Sequence, residues 1–200
     1  VSYLEEEFQK IDEATESQEE GIERSRKIID SLLNFSRQST DQLEKVDVRE
    51  IIASAVTILG KRLKNIEFEA PSDEPLILHC NSNEICQVLM NLVSNAAYQV
   101  QKVEPEAGPK VGIRTQHSGS EAYIEVWDNG GGVPEDITEK IFNPFVTTKP
   151  IGEGTGMGLS VSYKIIDNHG GTLSCYNSDI GAVFKIVLPI MPSVGTEEHV

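Results

Sequence analysis

Three stretches of this 200-residue chain hold residues whose types and spacing can do chemistry. The first is a helical pattern from about Asn83 to Lys102, where Glu84, Asn91, Asn95 and Tyr98 share one face. Asn forms helices poorly, so two of them four apart stand out. Their carbonyl oxygens are hard ligands of the kind Mg2+ accepts. A plain amphipathic helix with its polar face in water is the simpler account of this segment taken alone. The second stretch is Asp128-Asn129-Gly130-Gly131-Gly132, directly after an apolar run ending at Trp127. Asp/Asn-Gly after a strand is a hairpin signal, but three glycines exceed what a tight turn needs and let backbone approach a flat ligand. A carboxylate there can accept a hydrogen bond from an exocyclic amine such as that of adenine. The third is Gly152-Glu153-Gly154-Thr155-Gly156-Met157-Gly158-Leu159, leading into a helix. Alternating glycines before a helix N-terminus can cradle phosphate with N–H groups and the helix dipole. The loop fits neither the P-loop nor the dinucleotide-binding glycine pattern, and alone it is a weak signal. Between the glycine clusters lies Phe142-Asn143-Pro144-Phe145-Val146-Thr147-Thr148-Lys149. Its aromatics can anchor a lid, and Thr148 and Lys149 can reach phosphates; ordinary loop packing explains each residue equally well.

These residues need elements to position them. Asp47 and Glu50 form a capping-box pattern before a helix that buries Ile52, Ala55, Val56, Leu59 and Leu63. Short strand-like runs follow at 66–69 and 76–80, then the long helix carrying the asparagines, whose apolar face is Ile85, Leu89, Leu92, Val93, Ala96 and Val100. Runs 111–116 and 122–127 alternate as neighbouring strands across His117-Ser118-Gly119-Ser120. Residues 128–158 are irregular, which inside a compact domain points to function or disorder. A helix over 157–168 and strands at 172–176 and 182–188 complete the pattern. Helices first and hairpin-like strand pairs later predict an α+β two-layer sandwich, a mixed sheet covered by helices.

The N-terminal fifth reads differently. Eight acidic residues within 1–20 face Lys10 alone, and Ile22, Ile29, Leu32 and Leu33 form an apolar stripe on one helical face. A lone helix cannot hide such a stripe, so a hairpin or dimeric helical segment over 1–42 is expected, then a domain over 43–190 and a tail over 191–200. The net charge of −15 argues against nucleic acid as a ligand, since phosphate backbones call for clustered Lys and Arg. No apolar run reaches the roughly 18 residues that cross a bilayer, and no secretion signal stands out. Cys80, Cys86 and Cys175 are odd in number without CxxC spacing, which reads as reduced thiols in a reducing, cytoplasmic compartment. Any membrane-spanning part of a parent sensor would lie outside this chain.

Together and in this order, Asn91–Ala96 (N-L-V-S-N-A), Asp128–Gly132 (D-N-G-G-G), Phe142–Lys149 (F-N-P-F-V-T-T-K) and Gly152–Leu159 (G-E-G-T-G-M-G-L) resemble the catalytic domain of two-component sensor histidine kinases. These match that family's N, G1, F and G2 boxes, most closely in the nitrogen-regulatory type, and the likeness covers roughly residues 20 to 190. The resemblance implies a Bergerat-type ATP fold with ATP and Mg2+ as cofactors. Asn95 and Asn91 would hold the metal, with Asn91 and Lys149 as catalytic residues. Asp128 would read the adenine amine, with Gly130 and Gly132 shaping its pocket. Phe142 and Phe145 would anchor the lid; Thr147, Thr148 and Lys149 would approach the phosphates; Gly154, Thr155, Gly156, Met157, Gly158 and Leu159 would wrap them. It further implies a homodimer through the N-terminal helices, a phosphoacceptor histidine on that hairpin and a response-regulator receiver domain as partner. His169 reads as structural.

Two departures matter. Tyr98 stands where many members carry a lysine, so either Lys149 or Lys102 would take over phosphate neutralisation or transfer would be slow. The histidines are His79, His117, His169 and His199, none of them in the N-terminal helices. The expectation is therefore a piece cut inside the first hairpin helix, with the donor half of a phosphoryl transfer and unable to phosphorylate itself. The alternative is a gyrase-, Hsp90- or anti-sigma-type ATPase or switch on the same fold. Those ATPases carry Glu where this chain has Asn91, and an amide cannot act as a general base.

Overall fold

The computed structural model of the chain describes residues 43–150 and 154–190, together with Phe8, Thr15, Gln18 and Ile22. Apart from those four residues, the expected N-terminal hairpin lies outside the described residues, as does the 191–200 tail.

Strand β1 (Glu44–Asp47) was not anticipated from sequence. Asp47 ends it and caps helix α1 (Val48–Ile58), accepting from the Arg49 N–H at 3.0 Å. The Arg49 guanidinium bonds the same carboxylate and holds it below the usual carboxyl range. The cap is thus an Asp47–Arg49 clamp rather than the expected pairing with Glu50. Helix α1 buries Val48, Ile51, Ile52 and Ala55 at helical spacing, and Leu59 and Leu63 continue the stripe. Val56, expected in the core, is only partly buried at its margin. Strands β2 (Glu67–Glu69) and β3 (Ile77–Cys80) join different sheets. β3 pairs antiparallel with β1 in a two-stranded ribbon, and β2 runs parallel to β4 at the edge of the main sheet.

Helix α2 (Ser82–Val103) is capped by Asn81, whose side chain accepts from the Asn83 and Glu84 N–H groups. It ends at Glu104 in a left-handed conformation (φ 49°) just before Pro105. Strands β4 (Lys110–Ser118) and β5 (Glu121–Asp128) form the expected antiparallel pair. The irregular stretch holds one short helix, α3 (Glu135–Thr138), and α4 (Gly158–Asn168) follows it. Strands β6 (Thr172–Asn177) and β7 (Ala182–Pro189) complete a five-stranded mixed sheet, ordered β2-β4-β5-β7-β6.

Alternation along the strands sends Val111 and Ile113, Ala122, Ile124 and Val126, and Phe184, Ile186 and Leu188 into one core with the apolar faces of α1, α2 and α4. This is the predicted two-layer α+β arrangement. On the other face Trp127 lies over Gly112, and Arg114 stacks on the indole at 5.0 Å. Cys80, Cys86 and Cys175 are free, and burial pushes the Cys80 thiol up to about 11 and Cys175 up to about 12, so both stay protonated.

His169 closes the C-terminal end of α4 against the start of α2. Its Nε2 accepts from the Asn81 N–H at 3.1 Å and its Nδ1 bonds Ile165 O at 2.8 Å. The structural role expected of it is what the ring performs. His169→Ala removes the ring nitrogen that accepts from the Asn81 N–H, which costs about 1–3 kcal/mol. The expected result is a thermal midpoint several degrees lower; an unchanged midpoint would deny the ring that role.

Candidate nucleotide-binding site

A cavity of about 500 Å³ opens between the polar face of α2, the end of β5 and the loops before α4. Among the expected residues it is lined by Asn91, Asn95, Tyr98, Asp128, Gly132, Thr147, Thr148, Lys149, Gly154, Thr155, Gly156, Gly158 and Leu159. Four segments far apart in sequence are thereby brought together. Glu84 shares the helical face but sits two turns away, beside His169 at 3.8 Å.

The closed end is built around Asp128, the last residue of β5 and only 2% exposed. Its Oδ1 accepts from the Gly130 N–H at 2.8 Å and the Ala182 N–H at 3.4 Å. The glycine run is held from two sides. Gln99 Nε2 donates to Gly130 O at 3.2 Å, and Asn177 exchanges two bonds of 2.8 Å with the Val133 backbone. Gly132, at φ 86°, packs so tightly on Asn177 that a Cβ would come within 2.6 Å of its Oδ1. Gly130 lies behind this wall and does not line the cavity. It shapes the pocket through the Asp128 and Gln99 bonds.

Burial pushes the Asp128 carboxyl above the ordinary 3.8, with the Gly130 and Ala182 N–H groups pulling the other way. The sign follows: folding favours the protonated form, so this group's stabilisation is present at low pH and is lost as pH rises through its raised value. A ligand amine needs the ionised form. Affinity for an adenine nucleotide is therefore expected to fall on acidification at a pH above the usual aspartate range. Titration calorimetry across pH measures this, and a profile identical in Asp128→Asn would refute it.

The open end is cationic. Lys149 Nζ donates to Asn95 Oδ1 at 3.0 Å and lies 4.4 Å from the centre of the Tyr98 ring. Tyr98 thus seats a cation where a lysine was expected to supply one. Asn95 Oδ1 is an oxygen that already accepts a positive group at the cavity wall. Among the described residues no cluster of three or more His, Cys, Asp or Glu forms a metal cage. The donor set suits Mg2+, which takes few protein oxygens and shares phosphate oxygens. Asn91 is differently engaged: its Nδ2 donates to Ser162 Oγ at 2.9 Å and its Oδ1 lies against Gly158, tying α2 to α4.

The lid motif divides. Phe142 packs on Tyr163 (5.7 Å between ring centres) and Phe184 (6.5 Å), contacts of the kind an anchor needs. Phe145 corrects the expectation, because its side chain is 62% exposed and outside the cavity lining. Its left-handed backbone (φ 68°) does the holding, with the N–H donating to Gly156 O at 2.9 Å. Met157, 1% exposed, is a core residue beneath the loop. Sequence reasoning missed Arg62, Ser94, Gln99, Val133, Ile137 and Phe184, all lining the cavity. Gln99 was findable, since it lies four residues beyond Asn95 on the same helix; Arg62 carried no motif.

Comparison with known proteins agrees with this fold. The profile of the family described as histidine kinase-, DNA gyrase B-, and HSP90-like ATPase matches residues 80–192, more than half of the chain. The two-component sensor PprA of Pseudomonas aeruginosa is 32% identical over 185 residues, covering 90% of this chain and 20% of PprA. The sensory histidine kinase/phosphatase NtrB of Rhizobium meliloti is 32% identical over 151 residues, covering 70% of this chain and 38% of NtrB. The chain thus spans well under half the length of these relatives. Among solved structures, the nucleotide-free catalytic domain of histidine kinase ThkA matches with a TM-score of 0.66 and 34% identity, covering 76% of this chain and 98% of that one. ThkA in complex with response regulator TrrA matches with a TM-score of 0.70 and 28% identity, covering 86% of this chain and 49% of that one. The chain belongs to the histidine kinase-, DNA gyrase B- and HSP90-like ATPase family, and its folded domain is of the catalytic, ATP-binding type found in sensor histidine kinases.

Proposed function

We propose that this domain binds ATP with Mg2+ and presents the γ-phosphoryl group to a histidine outside this chain, from which it passes to the receiver domain of a response regulator. Asp128 takes the adenine amine, Asn95 faces the metal, and Lys149 with Thr147 and Thr148 meets the phosphates. Mg2+ held there would supply charge neutralisation to the phosphates. The residues' own part is to hold the triphosphate, exclude water beneath the lid and leave the terminal phosphate accessible. The observation that favours a kinase over a hydrolase is that the described lining residues offer no free general base. Among the described lining residues Asp128 is the one carboxylate, and it already accepts two backbone N–H groups at the base end. Asn91, an amide bound to Ser162, cannot take a proton from water. The ThkA–TrrA complex supports the response-regulator step by likeness, and a homodimer with a cytoplasmic location belongs to the same proposal. In a calorimetric titration with ATP, binding is expected to strengthen when Mg2+ is added. Steady release of inorganic phosphate at an ATPase's rate, without any protein acceptor, would refute this assignment.

A further inference from the structure

Arg62 belongs to none of the motifs, yet it lines the cavity from the connection between α1 and β2. Helix α2 holds it twice: Gln101 Nε2 donates to the Arg62 carbonyl at 3.1 Å, and Arg62 Nη1 donates to Ser94 Oγ. At about 100° per residue, Ser94 and Gln101 form one edge of the polar stripe of α2. Gln99, which bonds Gly130 beside Asp128, forms the opposite edge, with Asn91, Asn95, Tyr98 and Lys102 between them. Arg62 is therefore placed across the helix from the end that would hold a base. Charge follows the same axis. Among the described lining residues the cations are Arg62, Lys102 and Lys149 and the single anion is Asp128. The chain as a whole carries −15, so this positive end is not a reflection of bulk composition. A guanidinium has five N–H donors in a planar fork suited to phosphate, and the Ser94 bond uses one of them.

We infer that Arg62 is a phosphate-binding residue of this site, contacting the terminal phosphate of a bound nucleoside triphosphate, with Ser94 and Gln101 as its positioning residues. This rests on the reading of the cavity as an ATP site. The decisive comparison is calorimetry on the 200-residue chain and on Arg62→Ala with Mg·ATP, Mg·ADP and adenosine. One lost charge-assisted contact predicts about a tenfold fall in ATP affinity, a smaller fall for ADP and an adenosine affinity kept within about twofold. Ser94→Ala, which frees the guanidinium from its tether, is expected to lose about threefold for ATP alone. Arg62→Gln retains an N–H donor for Ser94 and the loop contact while removing the charge, and should reproduce the ATP-selective loss. Unchanged ATP affinity in both Arg62 variants would overturn the inference. So would an equal loss for all three ligands, which is the mark of a residue that merely braces the loop. Failure of the unaltered chain to bind any of the three would overturn the ATP reading itself, and this inference with it.

Discussion

Asp128→Asn is expected to lower affinity for ATP, ADP and adenosine together, by about a hundredfold, while the domain stays folded. The substitution is nearly isosteric. An amide oxygen can still accept from the Gly130 N–H at 2.8 Å and the Ala182 N–H at 3.4 Å, so the loop after β5 keeps its anchors. What changes is the other half of the group. A carboxylate oxygen that would accept from the adenine amine becomes an NH2, and two donors then face each other in a site where Asp128 is 2% exposed. A buried polar group left facing a like partner forfeits the ligand's bond and adds a desolvation cost. Calorimetry measures the affinities and thermal denaturation checks the fold. Unchanged binding in a folded variant would remove Asp128 from the base end.

Gly156→Ala is expected to do the reverse, weakening ATP at least tenfold while sparing adenosine. Gly156 sits at φ 66°, where a side chain costs about 1–2 kcal/mol. A Cβ there would also come within 2.5 Å of Phe145 C and 2.6 Å of its Cα. Both obstacles are backbone, so no rotamer relieves them. Phe145 is itself left-handed and donates its N–H to Gly156 O at 2.9 Å, so the two residues form one interlocked turn. Opening that turn moves the segment that leads into α4, which lines the cavity through Gly154, Thr155 and the first helical residue Gly158. The base end, built on β5 and Gln99, is untouched. Equal affinity for ATP in the variant and the parent would show that the turn does not position phosphate.

The chemistry-bearing part of this fold was legible because it is written in local patterns. Asn91 and Asn95 fall on one face by helical spacing alone, and the Asp128 run announces itself by following an alternating strand. What escaped reading depends on long-range partners. Strand β1 has too few residues to show a pattern and exists because Glu44–Asp47 pairs with Ile77–Cys80. Arg62 is unremarkable in sequence and reaches the cavity only because Ser94 and Gln101 hold it there. Phe145 looks like an anchor by residue type, yet its positive φ turns the ring to solvent and gives the anchoring to its N–H. Trp127 lies one residue before the end of β5, where the expected strand stopped, but its indole covers Gly112 on the outer face, a cross-strand match that no single strand reveals.

The central claim is that this domain donates phosphoryl groups to a protein histidine. It is tested most directly by incubating the chain with γ-labelled Mg·ATP in the presence and absence of a separately supplied helical hairpin that carries the phosphoacceptor histidine. The expected result is label on the hairpin, acid-labile as a phosphohistidine should be, with the chain itself unlabelled and little free phosphate formed without the acceptor. Confirmed ATP binding with no transfer to the hairpin, or stable labelling of the chain alone, would contradict it.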